Sequence, residues 1–174
     1  MISTWKKIKE EPYKTGFRKL VKRTFRIPDD RIVDFDIKQE GPVVCVLALT
    51  KNNNIILAKQ FRPGPERVLL ELPGGGVDAG ETPEEAVKRE FSEETGYTGD
   101  FQFVGASLGS AYSTLVRYNF VATNCYKKQE QNLEANEFIE VVEMPLAEFR
   151  DHLRGGQLTD ITTGYLGLDY LKLL

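Results

Sequence analysis

A proline and three consecutive glycines, Pro73-Gly74-Gly75-Gly76, interrupt the chain directly after the apolar run 68–72, and no other feature restricts the fold as much. Regular structure cannot continue through them, so the run reads as a short strand and the glycines as a loop whose bare backbone can come close to a ligand. The loop leads into the strongest helix pattern in the sequence. Thr82 stands at the N-cap, Pro83 at the first helical position and Glu85 three residues after the cap, which completes a capping box, and Gly96 ends the helix. Within it Pro83, Val87 and Phe91 recur at i, i+4 and i+8 with Ala86 beside them, a stripe suited to burial against a sheet.

A second face of this helix carries Glu90, Glu93 and Glu94, whose i+3 and i+4 spacing makes their carboxylates project together. They crowd the last turn, where the helix dipole is negative and each anion costs ~0.3 to 1 kcal/mol. A hard divalent cation with oxygen ligands, above all Mg²⁺, with Mn²⁺ as the alternative, would offset that cost. The plain reading is a solvated helix in which Glu84 with Lys88, and Glu85 with Arg89, form ordinary i, i+4 pairs. The glycine loop favours the metal, because strand, loop and acidic helix are contiguous and bring bare backbone and carboxylates together.

Around this unit the sequence predicts mostly strands. Runs 17–27 and 31–37, separated by Pro28-Asp29-Asp30, read as an antiparallel hairpin ahead of the main domain. The run 42–49 reads as a buried strand, 51–54 as a turn and 55–61 as the returning strand. Runs 101–107, 117–123 and 138–143 are expected strands, and 146–153 and 160–173 expected helices. Mixed order with strands in excess predicts an α+β domain with helices packed on a mixed sheet. Residues 1–40 form the expected N-terminal extension and 41–174 the main domain.

Composition narrows the partners. Of 174 residues 23 are basic and 26 acidic, a net charge of -3, which gives no molecule-wide attraction to nucleic acid or an anionic membrane, so neither is expected as partner. Nine of the basic residues fall in 1–26, either as a solvated hairpin face or as a basic rim for a phosphorylated ligand. Cys45 and Cys125 have no C-x-x-C or C-x-x-H spacing and read as buried thiols. The opening Met-Ile-Ser-Thr-Trp-Lys-Lys lacks the apolar core of a secretory signal, and no run approaches the ~18 apolar residues of a membrane span, so the expected compartment is the cytoplasm. The single histidine, His152, lies far from every motif and reads as a surface residue.

Gly75, five residues, Glu81, seven residues and then Arg89-Glu90-Phe91-Ser92-Glu93-Glu94-Thr95-Gly96-Tyr97 resemble the box of the Nudix hydrolase family at every fixed polar and glycine position. Phe91 and Tyr97 depart from it, standing where the family usually has an aliphatic residue. The resemblance implies an α/β/α sandwich and a loop-helix-loop that holds Mg²⁺ through Glu90, Glu93 and Glu94 with the carbonyl of Gly74, while Arg89 and Glu81 organise the carboxylates. It implies substitution by water at phosphorus in a nucleoside diphosphate derivative, the general base being Glu93 or one of the later Glu134, Glu137 and Glu140, of which Glu137 is preferred, while the plain reading of those three is a solvated loop and strand edge.

Gln60-Phe61-Arg62 followed by Glu71-Leu72-Pro73-Gly74-Gly75, and Gly156-Gln157-Leu158-Thr159-Asp160 before the last helix, resemble the ADP-ribose and nucleoside diphosphate sugar pyrophosphatase branch. In that branch the N-terminal extension often builds a homodimer that completes the substrate site. The branch's ADP-ribose enzymes usually carry Ser-Pro-Gly where this chain has Gly109-Ser110-Ala111-Tyr112-Ser113-Thr114-Leu115, which favours another nucleoside diphosphate sugar. Gly75 is a substrate-binding candidate through its backbone. Arg62 is either a phosphate contact or half of a surface ion pair, and Tyr112 either stacks on a base or packs in its loop. The other functional readings are hydrolysis of a triphosphate or dinucleoside polyphosphate, and a non-catalytic nucleotide sensor.

Overall fold

The computed structural model describes residues 5–14 and 18–174. Contacts divide the chain into two units, Met1–Pro42 with Leu108–Val116, and Val43–Ser107 with Arg117–Leu174.

The first unit is built on an antiparallel sheet of β1 (Lys6–Lys14), β2 (Lys19–Arg26) and β3 (Ile32–Gln39), in that order. The expected hairpin is β2 with β3, in register from Lys19↔Gln39 to Arg26↔Ile32 around Pro28-Asp29-Asp30, with Asp30 in the left-handed region at φ 65°. Residue 17, placed in that hairpin by the sequence, lies outside the described residues. The hairpin reading was one strand short, because β1 shows no apolar alternation. It is an edge strand of charged residues that pair locally and across to β2, Lys7 and Arg23 with Glu10 and Lys9 with Glu11. Lys22 with Asp34, Arg26 with Asp30 and Arg18 with Glu40 continue the pattern, so the cationic N-terminal segment is a solvated, ion-paired face. Val21 and Ile37 are buried, and the rings of Trp5, Phe25 and Phe35 meet beside them. Segment 108–116 joins through Lys38, whose N–H donates to Tyr112 O at 2.9 Å and whose carbonyl accepts from Thr114 N at 3.0 Å.

The second unit has the expected mixed sheet, in the order β6-β5-β4-β8-β7. Its strands are β4 (Val43–Thr50), β5 (Asn54–Arg62), β6 (Arg67–Glu71), β7 (Tyr97–Leu108), β8 (Val116–Lys127) and β9 (Glu140–Pro145). β4 runs parallel to β8, with Val46 opposite Phe120, while β5 is antiparallel to β4, β6 and β9. Strand alternation gives the sheet two apolar faces. Val44, Val46, Ala48, Ile56, Phe120 and Ala122 meet Ala86, Val87 and Phe91 of α1 (Pro83–Thr95). Cys45, Leu47, Leu49, Ile55, Leu57 and Val121 meet Phe149 and Leu153 of α2 (Leu146–Gly155) and Leu168 of α3 (Ile161–Tyr170). The result is an α/β/α sandwich in which the predicted stripe of α1 is the buried one. Both cysteines are buried and free.

Two details correct the sequence reading. The last strand begins at Glu140, two residues late, which leaves Phe138 exposed in the preceding loop. His152 is half-buried and not a surface residue: its Nε2 lies 2.8 Å from Leu70 O and its ring abuts Phe149, a structural role that fixes α2 on the sheet. Among the described residues no helix is long and apolar enough to cross a membrane.

Phe91 is fully buried against Phe101, so Phe91→Ala is expected to lower stability by about 3 to 5 kcal/mol, seen as an earlier urea midpoint with an unchanged slope.

Candidate active site

α1 is held at both ends by the chemistry its sequence announced. Thr82 Oγ1 accepts from Glu85 N at 3.3 Å while Glu85 Oε2 accepts from Thr82 N at 2.8 Å. Gly96 closes the helix at φ 76°, a conformation that an L side chain adopts only with strain, and its N–H donates to Ser92 O at 2.8 Å. Carbonyls left open by the last turn are met by the following loop: Asn132 N donates to Glu93 O at 2.9 Å and Gln131 Nε2 to Glu94 O at 2.6 Å.

The glycine loop is fastened to the edge of β4, Val46 N donating to Pro73 O at 3.0 Å and Val44 N to Gly75 O at 2.9 Å. At Gly74 the lack of a side chain is required, and at Gly75 it leaves room for a neighbouring carboxylate. A Cβ on Gly74 would collide with the backbone of Val44, and one on Gly75 with the carboxylate of Glu90. So placed, Gly74 N donates to Glu94 Oε2 at 2.9 Å.

Arg89 gathers the remaining acids. Its Nε and Nη2 grip the two oxygens of Glu81 at 2.9 and 3.0 Å, Nη1 reaches Glu90 Oε1 at 2.9 Å and Glu93 Oε2 at 3.1 Å, and Nη2 also donates to Gly76 O at 3.0 Å. This replaces the expected Glu85–Arg89 pair, since Glu85 is engaged in the cap. The bond from Arg89 holds Glu81 below the usual carboxylate range, and Glu81, with Glu90 and Glu93, keeps Arg89 firmly protonated.

Glu94 is 5% exposed, and burial pushes its carboxyl up to about 8, opposed by the Gly74 N–H and reinforced by the charges of Glu90 and Glu137. Burial also raises Glu90, against the pull of Arg89. Among the described residues no three acidic, imidazole or thiol groups are placed to hold an ion as they stand, since the Arg89 guanidinium lies between Glu90 and Glu93. The donor set nevertheless fits a hard divalent cation. Anionic oxygens exceed the nearby positive charge, and for Glu94, the most buried of them, burial outweighs the Gly74 N–H and Arg62 that favour its charged form.

The other predicted residues divide. Arg62 forms an ion pair with Glu71, but Glu71 is completely buried, so this is not the surface pair considered from sequence. Glu71 also accepts from Thr159 N at 3.3 Å and from its hydroxyl, and Asp160 beside it pairs with Arg117 at 3.1 Å. Burial pushes Asp160 up to about 6. Spacing did not identify this Arg62-Glu71-Thr159 group as one cluster; the trace it left was charged residues inside apolar runs. Arg62 acts on Glu94 electrostatically, lowering it. Glu137 acts on both Glu90 and Glu94, and its own Oε2 accepts from Glu134 N at 3.0 Å. Glu140 is instead paired with Lys59 across β5 and β9 at 2.8 Å. Tyr112 belongs to the first unit, where its ring stacks on Phe35 with centroids 6.3 Å apart.

The chain is similar to known proteins in sequence and in fold. The NUDIX domain pattern covers residues 39–160. An ADP-ribose pyrophosphatase of Bacillus subtilis (strain 168) is 31% identical over 150 residues, which span 84% of this chain and 80% of that protein. A GDP-mannose pyrophosphatase of Yersinia enterocolitica is 29% identical over 168 residues, 88% of this chain and 87% of that one. The crystal structure of an ADP compounds hydrolase superposes with a TM-score of 0.83 over 99% of this chain and 96% of its own, at 19% identity, a likeness of fold.

A carboxyl raised in the folded state contributes stability that is complete below its ordinary value of 4.5 and lost as pH rises through about 8. Glu94→Gln keeps an acceptor for Gly74 N–H without the charge. With chelator present, its stability by urea denaturation is expected to match the parent at pH 4 and to exceed it at pH 9 by about 5 kcal/mol.

Proposed function

The chain belongs to the NUDIX family, and from that premise we propose that it is a Mg²⁺-dependent hydrolase of the pyrophosphate bond of a nucleoside diphosphate sugar. The observation that carries this is the closure of glycine loop on acidic helix, with Gly74 N–H on Glu94 and Arg89 across Glu81, Glu90 and Glu93. The relatives named for ADP-ribose and GDP-mannose support the substrate class. The missing Ser-Pro-Gly before β8 favours a sugar other than ADP-ribose.

In this reading Glu90, Glu93 and Glu94, with the carbonyl of Gly74, would hold the Mg²⁺ ion, with Mn²⁺ as the alternative. The chemistry a bound ion supplies is charge neutralisation at the phosphoryl oxygens and a more acidic water. Arg89 keeps Glu90 and Glu93 in one orientation, and Glu81 keeps Arg89 from collapsing onto either. Arg62, pinned by buried Glu71, presents its remaining donors to a phosphate oxygen. Gly75, without a side chain, leaves room for the diphosphate to approach the backbone. Glu137 accepts the proton of the attacking water, with Glu93 as the alternative. Residues 1–40 are the proposed dimer-forming extension of a catalytic domain at 41–174. The cytoplasm is the proposed compartment, consistent with two cysteines left unpaired.

The test is phosphatase-coupled phosphate release across a panel of nucleoside diphosphate sugars with Mg²⁺. Glu94→Gln, although more stable at alkaline pH, is expected to lose at least about a hundredfold in kcat, and full activity in that variant would remove the metal role. Light scattering is expected to give twice the chain mass; monomer alone would remove the dimer.

A further inference from the structure

A shallow groove of about 550 Å³ is lined by residues that include Phe61, Val68, Leu133, Glu137 and Phe138. This is the size range of small-molecule sites, roughly 300–1,000 Å³. Phe61 and Val68 face each other across β5 and β6 and are 57% and 58% exposed, and Phe138, in the loop before β9, is 83% exposed. Three large apolar side chains turned toward water along one groove are unfavourable unless something covers them.

The groove wall is joined to the loop that closes the acidic helix. Gln131 Nε2 donates both to Glu94 O at 2.6 Å and to Ile139 O at 3.1 Å, which puts those two carbonyl oxygens within about 6 Å of each other. Asn132 N adds its bond to Glu93 O. One amide side chain therefore ties the groove wall, which includes Ile139, to the turn that carries Glu93 and Glu94. Glu137 lines the groove and also raises Glu90 and Glu94 through its charge.

Charge selects the occupant. The lining holds one cation, Lys59, already paired with Glu140 at 2.8 Å, and a second carboxylate in Glu137. A net negative groove repels phosphate and favours an uncharged group. Aromatic faces with carboxylates and the Gln60 amide among them match a ring with C–H faces and hydroxyl edges. Resting on the hydrolase reading above, we propose that this groove is the subsite for the sugar of the nucleoside diphosphate sugar, with Phe61 and Phe138 as its specificity-determining walls. A substrate with its diphosphate at the carboxylates then extends its neutral sugar past Glu137, and the sugar covers the exposed rings.

The experiment compares KM for a nucleoside diphosphate sugar with the inhibition constant Ki of the same nucleoside diphosphate without sugar, in Mg²⁺, for Phe61→Ala, Phe138→Ala and Phe138→Tyr. Exposed Phe138 makes its substitution safe for the fold. Loss of either ring is expected to lower Ki/KM about tenfold through a higher KM, and Phe138→Tyr is expected to retain the parental ratio. An unchanged ratio in both alanine variants overturns the subsite: equal weakening of KM and Ki would put the base in the groove, and a change of mass in light scattering would put a second copy there. A parent protein inactive on every nucleoside diphosphate sugar would remove the hydrolase reading and the subsite with it, whereas activity with an unchanged ratio removes the subsite alone.

Discussion

Glu94 sits at the end of α1 with its carboxylate out of water, and its bond from Gly74 N–H depends on several parts of the domain at once. The loop must lie flat on β4, which Val44 and Val46 secure through their N–H groups. No side chain can stand at Gly74, and one at Gly75 would displace the Glu90 carboxylate. The helix must be set on the sheet at one height and rotation, which Val87 and Phe91 do from within the core. A carboxylate raised to about 8 by burial stores an electrostatic penalty, and the core supplies the stability that keeps it in place.

Arg89 organises the charges around that point. A single guanidinium spread over Glu81, Glu90 and Glu93 orders three anions that would otherwise splay into solvent, and its bond to Gly76 O fastens helix to loop a second time. The loop after β8 closes the other side, since the backbone carbonyls of Glu93 and Glu94 are capped by Asn132 and Gln131. The same loop carries Glu137, so the peptide that finishes the helix also sets the position of a candidate base.

Much of this was readable because it is local. The capping box, the left-handed glycine, the buried stripe and the three glutamates all follow from spacing within one helix, where i, i+3 and i+4 are neighbours whatever surrounds them. The hairpin of β2 and β3 was readable from its turn. β1 escaped because an edge strand can be stabilised by ion pairs without apolar alternation. The Glu85–Arg89 pair followed from helical spacing and failed because two other partners, Thr82 for Glu85 and Glu81 for Arg89, compete better.

From order of residues came the acidic helix, the loop that precedes it, the mixed sheet and the expectation of a cation, each set by spacing, turn chemistry or charge within a short stretch of chain. Tertiary structure decided what spacing cannot encode: that Arg62 meets a buried glutamate, that His152 braces α2, and that Phe61, Val68 and Phe138 share a groove next to Glu137. Those contacts join residues from 9 to 82 positions apart in hydrogen-bonded pairs, and the groove joins strands to a loop some seventy residues on. Such proximity is created by packing the sheet and its helices, because burial and charge act through space and are fixed only when the chain has closed on itself.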